Sequence, residues 1–252
     1  MAGQAAVAGS LRRPRTAVSL VDADPELARR LGASAAEARI DTVANVRTLK
    51  RGPWRPDVGS ETVRGWLGLL VLDGFLLRDI AIAGRQCCEP LGPGDLIRPW
   101  DEDRSGAPMP AVSTWAASGP VRIALLDGDF ARRVQPWPQV ADELVFRAIR
   151  RSRTAVAMLA ISHLVRIEDR VLVALWHLAD RWGRRLPGGV LIPMRLTHRT
   201  LGALIGARRP SVTTALGALT RGGAVTRVAD GWLLHGSPPV LDAGGLAAPS
   251  PA

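Results

Sequence analysis

The spacing of apolar residues in the middle of the chain predicts short β-strands. Two apolar runs, Trp66–Leu72 and Phe75–Ile80, flank Asp73-Gly74, and an Asp-Gly pair between such runs is a strong signal for a β-hairpin. Leu91–Ile97 combines a turn with a further strand, and Val121–Leu126 is another apolar run. Several short strands at roughly ten-residue spacing predict an antiparallel barrel or sandwich that contains this hairpin.

The apolar spacing then changes to alternating steps of four and three residues, which predicts a long helix. This seam runs through Val145, Ile149, Ser152, Val156, Leu159 and His163. A seven-residue repeat is typical of a coiled coil, and a helix over residues 139–163 would be roughly 38 Å long. We therefore expect a dimerisation helix that pairs through Val145, Ile149, Val156 and Leu159. The alternative is an amphipathic helix packed on its own barrel.

Shorter helices are predicted on either side of this region. Asp24-Pro25-Glu26 combines a capping Asp, a Pro at the first helical position and a Glu in the first turn, which predicts a helix to about Ala38. Ile167–Trp182 has an apolar face of its own and predicts another helix. Residues 1–24 show no sustained periodicity, so we expect a disordered arm.

Two consecutive helical patterns near the C-terminus predict a helix-turn-helix. Thr197–Gly206 begins with a capping threonine, carries apolar residues on one face and ends with glycine. After a short turn the pattern resumes at Pro210, which is expected at the first helical position, and it ends at Gly222-Gly223. Short helices joined by a tight turn, the second opening with arginines and hydroxyl residues, are typical of this motif.

A further hairpin is predicted directly after this motif. Ala224–Val228 and Trp232–His235 flank a turn that contains Asp230-Gly231, so the helix-turn-helix is predicted to be winged. Val190–Leu196, which precedes the motif, is expected to supply another strand of the same small sheet.

Positive charge is concentrated in the same part of the chain. The formal net charge is +10, and the segment from Arg184 to His235 holds eight arginines against one acidic residue, Asp230. Residues 41–131 hold twelve acidic and ten basic residues. This asymmetry indicates that one end of the molecule binds a polyanion.

Composition excludes several other classes of protein. A hydrophobic fraction of 47% with 22% charged residues is that of a globular protein, which excludes a fully disordered or collagen-like chain. No apolar run approaches the ~20 residues of a membrane span, and the first residues lack a signal-peptide pattern. We therefore expect a cytoplasmic protein without a membrane partner.

The segment Thr-His-Arg-Thr-Leu-Gly-Ala-Leu-Ile-Gly-Ala-Arg-Arg-Pro-Ser-Val, residues 197–212, resembles the DNA-binding domain of the Crp/Fnr (cyclic-AMP receptor protein) family of transcription regulators. Leu91–Ile97 resembles the Gly-Asp turn of that family's effector barrel, and the long helix falls where its dimerisation helix should. The resemblance spans about residues 45–236. It implies an α+β protein with a flexible arm and short helix (1–44), a cyclic-nucleotide-binding-like β-barrel sensor domain (45–135), a dimerisation helix (136–165), a winged helix-turn-helix (166–237) and a disordered tail (238–252).

The residues expected to bind DNA lie at the starts of the two predicted helices. Arg209 can donate two parallel hydrogen bonds to a guanine, worth about 1–3 kcal/mol of discrimination. The other candidates are Arg208, Ser211, Thr213 and Thr214 for bases or phosphates, and Thr197, His198 and Arg199 for phosphates. Pro210 stands where family members often carry a base-reading Glu, so the preferred sequence is expected to differ.

The sensor end departs from the family pattern for binding a cyclic nucleotide. Arg98-Pro99-Trp100-Asp101 follows the Gly-Asp turn, where the family has a Gly-Glu-Leu turn, and Pro99 removes a backbone donor. The Arg-Ser/Thr counterpart near Ala111-Val112-Ser113 lacks its arginine, although Arg104-Ser105 is a possible substitute. Thr154 stands beside Ala155-Val156, where the family's base-binding hydroxyl is expected. We expect no cyclic nucleotide to bind.

No cofactor or metal site is predicted. The two cysteines, Cys87 and Cys88, are too few for a four-cysteine iron–sulfur or zinc site; as neighbours on a strand they point to opposite faces or, alternatively, form a thiol switch. His163 and His177 are expected to pack or face solvent rather than bind haem. The scattered histidines and the absence of a nucleophile or phosphate-loop motif argue against an enzyme.

The expected function is therefore sequence-specific transcription regulation by a homodimer on a pseudo-palindromic operator of double-stranded DNA. RNA polymerase and an unidentified small-molecule effector are further candidate partners. Two alternatives stay open: a cyclic-nucleotide-responsive regulator of the same family, and a ligand- or protein-binding module that keeps a winged domain without specific DNA binding.

Overall fold

The structure is a computed structural model that describes residues 16–56, 63–101, 112–239, 241–242 and 245–246. The described residues fall into two compact units, and the division lies within the longest helix, between Ser152 and Arg153. The segment Ala83–Glu89 is grouped with the second unit. None of the described helices is both long and apolar enough to cross a membrane.

The first unit combines helices and β-strands. Its helices are α1 (Leu20–Ala23), α2 (Pro25–Leu31), α3 (Ala35–Ala38), α4 (Gly128–Arg133) and the first part of α5 (Pro138–Ser162), with 3₁₀ turns at Gly32–Ser34 and Pro99–Asp101. Its strands are β1 (Thr16–Ser19), β2 (Val43–Leu49), β3 (Gly52–Trp54), β4 (Gly68–Asp73), β5 (Leu76–Ile82), the last two residues of β6 (Arg85–Leu91), β7 (Leu96–Ile97), β8 (Val112–Ala117) and β9 (Val121–Leu126).

The strands form two sheets that share an apolar core. One has the order β1-β2-β9-β4-β7 and the other the order β3-β8-β5-β6. Leu69 and Val71 of β4 pack in the core between the sheets, whereas Leu70 packs with Leu144 of α5 on the opposite face. The antiparallel architecture predicted from the strand spacing is confirmed, but in the described part of the chain the two sheets do not close into a barrel.

The predicted hairpin around Asp73-Gly74 is wrong. β4 pairs with β9 and β7, whereas β5 pairs with β8, so the chain passes from one sheet to the other at this turn. Gly74 has a φ of +77° and a Cβ there would lie 2.1 Å from the carbonyl oxygen of Pro120, so the corner requires glycine. The Asp-Gly signal predicted the turn correctly but not the partners of the two strands.

The predicted disordered arm is also wrong from Thr16 onward. β1 pairs antiparallel with β2, and Leu20 of α1 is buried in the core. Residues 1–15 lie outside the described residues. The predicted helix start is confirmed, because the Asp24 carboxylate accepts hydrogen bonds from the backbone N–H groups of Glu26 and Leu27, both at 3.1 Å.

A buried ionic cluster joins the N-terminal helices to α5. Arg147 is 1% exposed and donates to Asp24 at 2.5 and 3.0 Å and to Glu143 at 2.8 Å. Burial acts to lower the pKa of Arg147, but its bonds to the two carboxylates outweigh burial and raise it. Arg150 donates both Nη groups to Glu26 at 3.1 Å, and this pairing lowers the pKa of Glu26 against the opposing effect of burial. The sequence did not reveal this cluster.

The predicted long helix is confirmed as α5. The four side chains expected to form a dimer, Val145, Ile149, Val156 and Leu159, are 46–67% exposed. Phe146, next to them on the helix, is also exposed. These five residues, called the apolar stripe below, have no covering element among the described residues. The burial of Leu144 and Arg147 shows that other faces of α5 pack against the unit itself.

The second unit holds the predicted helix-turn-helix. It contains the rest of α5, α6 (Ile167–Trp182), β10 (Arg184–Leu186), β11 (Gly189–Ile192), α7 (His198–Ile205), α8 (Arg209–Arg221), β12 (Val225–Val228) and β13 (Gly231–Leu234). β14 (Leu241–Asp242) and β15 (Gly245–Leu246) pair with each other within the predicted tail, whose remaining residues beyond 239 lie outside the described ones. Helix α6 spans the predicted residues and buries Val171, Leu175 and Leu178.

Candidate nucleic-acid interface

The first helix of the motif, α7, has the predicted ends. The Thr197 hydroxyl accepts a hydrogen bond from the backbone N–H of Thr200 at 3.1 Å, which caps the helix. Gly206 ends it in the left-handed conformation, with a φ of +66°. Leu201 and Ile205 are fully buried, so the opposite face of α7 remains at the surface.

The second helix, α8, begins at Arg209. Pro210 therefore occupies its second position rather than the predicted first, where the missing N–H still costs no helical hydrogen bond. Val212 and Leu216 are buried, and Gly222 ends the helix. Helix α6 packs against α7, α8 and β11, which fixes the motif on a third helix.

Close packing at Gly202 produces the tight turn between α7 and α8. The backbone N–H of Ala207 donates to the Gly202 carbonyl at 2.9 Å. A Cβ at Gly202 would lie 2.6 Å from the carbonyl oxygen of Ala207, which is backbone and cannot rotate away. Gly202 therefore permits the approach that sets the angle between the two helices.

We expect Gly202→Ala to lower the free energy of unfolding of the second unit by about 1–3 kcal/mol, because the turn must open to admit the methyl group. Gly217→Ala is the matched control within α8, since the nearest atom to its Cβ is the side-chain Nη1 of Arg221 at 3.5 Å. That variant should be neutral or up to about 1 kcal/mol more stable. Thermal and urea unfolding followed by circular dichroism measure both; equal effects would contradict the assigned role of Gly202.

The predicted wing is confirmed as an antiparallel sheet. Its order is β10-β11-β13-β12, so the strand expected before the motif pairs with the wing. Hairpin β10–β11 adds a strand that the sequence did not predict. Trp232 of β13 is 2% exposed and donates its indole N–H to the carbonyl oxygen of Leu196 at 3.2 Å. This bond attaches the wing to the start of α7.

The eight residues predicted to bind DNA lie at the adjoining N-terminal ends of α7 and α8. Seven are exposed or partly exposed and His198 is half-buried. Arg208 and Arg209 begin α8, and Arg199 is exposed in the first turn of α7. Their role in DNA binding stays a prediction, but an exposed surface with this charge suits a duplex phosphate backbone.

Internal hydrogen bonds restrict the hydroxyl groups of Thr213 and Thr214. The Thr213 hydroxyl donates to the Arg209 carbonyl at 3.0 Å and also bonds His198 Nδ1 at 2.9 Å. The Thr214 hydroxyl donates to the Pro210 carbonyl at 3.3 Å. Each threonine has therefore used its only donor, and only an acceptor lone pair remains for a base.

Arg227 of the wing was not among the predicted contacts. Its guanidinium lies 5.2 Å from the centre of the Trp232 ring, a cation–π arrangement that holds an exposed charge beside α7. His198 lies next to it, with its ring 6.3 Å from that of Trp232. The sequence signal that could have identified Arg227 was the polar pair Thr226-Arg227, which apolar residues flank on the same strand.

The only acidic residue between Arg184 and His235 is already paired. Asp230 accepts from Arg195 at 2.8 Å at the tip of the wing. The other arginines of this segment therefore face no carboxylate from within it, and the surface keeps a positive charge.

The turn that departs from the family's cyclic-nucleotide pattern is internally bonded. Arg98 donates to the carbonyl of Trp66 at 2.8 Å and to Asp101 at 2.6 Å. Pro99 is buried, and Trp100 packs against the core between the sheets. Arg104-Ser105, the possible substitute, and Ala111 lie outside the described residues. The arginine of this turn is thus committed to protein partners.

Cys87 is exposed and Cys88 is 2% exposed on β6, as expected for neighbours on opposite faces of a strand. Neither forms a disulfide bond with another described residue, and the alternative of a thiol switch is untested. His163 is exposed just after the end of α5. His177 is half-buried on α6, and burial lowers its pKa.

Two short helices with a tight turn, a supporting third helix and a β-wing define a winged helix-turn-helix, a class of DNA-binding domain. Residues 169–235, which contain all of these elements except the start of α6, match the sequence profile of the Crp-like helix-turn-helix domain. The C-terminal part of this chain is a Crp-like domain, and the resemblance to Crp/Fnr regulators is confirmed. A search of curated proteins found no match.

Similar solved structures extend the likeness over most of the chain. A Crp/Fnr-family transcriptional regulator from Thermus thermophilus, TTHA1359, is 20% identical with a TM-score of 0.51, covering 75% of this chain and 92% of its own. FixK2 from Bradyrhizobium japonicum is 18% identical with a TM-score of 0.54, covering 76% and 92%. A cyclic nucleotide-binding domain containing protein from Listeria monocytogenes is 13% identical with a TM-score of 0.60, covering 83% and 96%. These likenesses establish the predicted fold class.

Proposed function

We propose that this protein is a homodimeric, sequence-specific DNA-binding transcription regulator whose sensor domain does not bind a cyclic nucleotide. The observation that carries the proposal is the exposed basic surface at the start of α8, within a Crp-like domain. Such a regulator acts on DNA in the cytoplasm and needs no catalytic residue. RNA polymerase and an effector of unknown chemistry are further partners of the proposal.

The geometry of α8 supports base recognition. A helix of ~10–12 Å diameter fills the major groove, and residues at its N-terminal end meet the base edges. Arg209 is the first residue of α8 and is exposed, and Ser211 is exposed one residue beyond Pro210. Thr197 and Arg199 at the start of α7 are the proposed phosphate contacts, and such contacts hold the register of a protein on the duplex.

The apolar stripe on α5 supports the homodimer. Four of its members repeat with the seven-residue period of a coiled coil, and a second copy of the same stripe would cover them. A two-fold dimer presents two copies of α8, which fit half-sites about one helical turn (~34 Å) apart.

The bonded turn at Arg98 supports the absence of cyclic-nucleotide binding. Its guanidinium would have to leave three protein partners, Asp101 and the carbonyls of Trp66 and Leu67, to reach a phosphate, and Pro99 offers no backbone N–H. Calorimetric titration with cyclic AMP and cyclic GMP tests this directly. Binding of either nucleotide at micromolar concentration would favour the alternative of a cyclic-nucleotide-responsive regulator.

We expect Arg209→Ala to lower affinity for a specific duplex by about 10- to 100-fold for each half-site that the dimer occupies, because each bidentate bond to guanine is worth about 1–3 kcal/mol. The duplex is one selected by the wild-type protein from a randomised library. Fluorescence anisotropy with this duplex and with a scrambled one of equal length measures the loss on each. The loss on scrambled DNA should be much smaller.

Arg199→Ala is the matched control, since it removes the same charge from the other helix. It should weaken binding to both duplexes alike. It should also lower the number of counterions released on binding, measured from the salt dependence of the affinity, by about one. Equal losses on both duplexes for Arg209→Ala would refute its role in base recognition. If the wild-type protein binds all duplexes with equal affinity, the result would instead support a module without specific DNA binding.

A further inference from the structure

We propose that His198 and Arg227 form one phosphate-binding clamp beside Arg209, and that His198 takes up a proton when the clamp binds DNA. The inference rests on the proposed function, because it names the part of the duplex that this surface holds. It adds a wing residue and a proton to the binding reaction.

The hydrogen bonds around His198 favour one tautomer of the ring. Thr213 has one hydroxyl proton, and the carbonyl of Arg209 receives it. We assign the donor of the 2.9 Å bond between Thr213 and His198 as the Nδ1–H of the ring, because the Thr213 hydroxyl has a single proton and also contacts the Arg209 carbonyl. In the neutral ring Nε2 then carries a lone pair rather than a proton.

A lone pair at Nε2 cannot bind a phosphate oxygen, since both groups are acceptors. No other residue in the described part of the chain bonds Nε2, so this atom is available to an external ligand. Protonation turns it into a charged donor while Nδ1–H keeps its bond to Thr213. Phosphate binding through His198 therefore requires uptake of a proton.

The charged groups that face His198 are positive on each element packed against it. Arg209 belongs to α8, which also supplies Thr213, and Arg227 belongs to β12 and stacks on Trp232 of β13. On its own helix the neighbouring charge is Arg199, and Asp230, the one acidic residue between Arg184 and His235, is paired with Arg195. These guanidiniums attract a phosphate and, without one, oppose a third positive charge.

The electrostatics give the direction of the pH dependence. Burial lowers the pKa of His198, and the charges of Arg227 and Arg209 lower it further, so the ring is neutral in the free protein at neutral pH. A bound phosphate reverses the local charge and raises that pKa. Because the complex holds the proton more tightly, affinity must rise as pH falls from the pKa of the complex towards that of the free protein.

The test is anisotropy with the wild-type-selected duplex between about pH 5.5 and 8.5 at constant salt. One linked proton tightens binding by at most tenfold per pH unit, and a dimer on DNA links two, so we expect about a 10- to 100-fold change per unit at the steepest part for wild type. His198→Asn keeps a side-chain N–H near Nδ1 and cannot be protonated, so its affinity should lose this dependence. His198→Gln serves as the second neutral variant if the first does not fold.

His235→Gln is the matched control, because both ring nitrogens of His235 already bond within the sheet, to Thr226 and to the carbonyl of Gly188, each at 2.9 Å. It should keep the wild-type pH dependence. Arg227→Ala should weaken specific and scrambled DNA alike and reduce the salt dependence by about one ion. If Arg227→Ala leaves the affinity for DNA unchanged, the wing is not part of the clamp.

Calorimetry in buffers of different ionisation enthalpy measures the proton directly. Wild type should take up a proton on binding near neutral pH, and His198→Asn should take up less. If wild type prefers its selected duplex but shows the same pH dependence as His198→Asn, the clamp is wrong and the proposed function stands. If wild type prefers no duplex, the proposed function itself fails.

Discussion

Replacing Val156 and Leu159 by glutamate is expected to make the protein monomeric and to lower its affinity for the selected duplex by at least about 100-fold. Both side chains are at least 60% exposed on α5, so the substitutions cost little in an isolated chain. In a paired stripe each glutamate would be buried against apolar side chains of the second copy, which costs several kcal/mol without a partner.

The loss of DNA affinity follows from the loss of the second half-site. When one half of a dimer is bound, the other half searches a nearby half-site at a high effective concentration, which commonly raises overall affinity by about 10²–10⁴. A monomer with an intact α8 keeps its contacts to one half-site only. Sedimentation velocity measures the oligomeric state, and anisotropy on duplexes with one and two half-sites measures the affinity.

Ile40→Glu is the matched control for this experiment. Ile40 is 73% exposed and lies outside α5, so the same chemical change should leave a dimer with wild-type affinity. A double variant that stays dimeric would show that the stripe is not the interface. A demonstrated monomer with unchanged affinity for the two-half-site duplex would refute the homodimer as the DNA-binding form.

The winged motif could be predicted from the sequence because its signals are local. Thr197 caps α7 through a bond to Thr200, and Gly206 ends it through its own left-handed backbone. Asp230-Gly231 closes a hairpin whose two strands do pair with each other. Each of these outcomes depends on residues within a few positions of the signal.

The first unit was harder to predict because strand partners are chosen over long distances. Asp73-Gly74 carries the same local signal as Asp230-Gly231, yet its flanking strands belong to different sheets. Every core residue of β4 from Leu69 to Val71 is buried, on both faces of the sheet. A strand of this kind lacks the alternation that would show which neighbour it pairs with.

In the candidate site too, local features could be predicted from the sequence, whereas contacts between elements could not. The starts of α7 and α8 were expected at the surface, and they are exposed. The bond between His198 and Thr213 spans fifteen residues, and the place of Arg227 depends on Trp232 in the opposite strand. Contacts between elements decide which of the predicted residues are free and which are already bonded, and the sequence pattern does not contain them.

Arg147→Met is expected to lower the free energy of unfolding by about 3–5 kcal/mol, the cost of leaving buried carboxylates without their counter-charge. Asp24 and Glu143 are 7% and 6% exposed, so water cannot replace the guanidinium. The bond between Arg147 and Asp24 joins residues 123 positions apart and holds α2 against α5, the helix that carries the apolar stripe. Urea unfolding followed by circular dichroism measures the loss.

Arg132→Met is the matched control, because Arg132 pairs with Asp129 at the surface with both side chains about 70% exposed. Surface pairs contribute about 0–1 kcal/mol, so the same substitution should change stability little there. Adding Asp24→Asn and Glu143→Gln to Arg147→Met removes the uncompensated charges and should restore part of the stability. Equal losses for the two arginine variants, or no recovery in the triple variant, would show that α2 is held against α5 by apolar packing rather than by the buried charges.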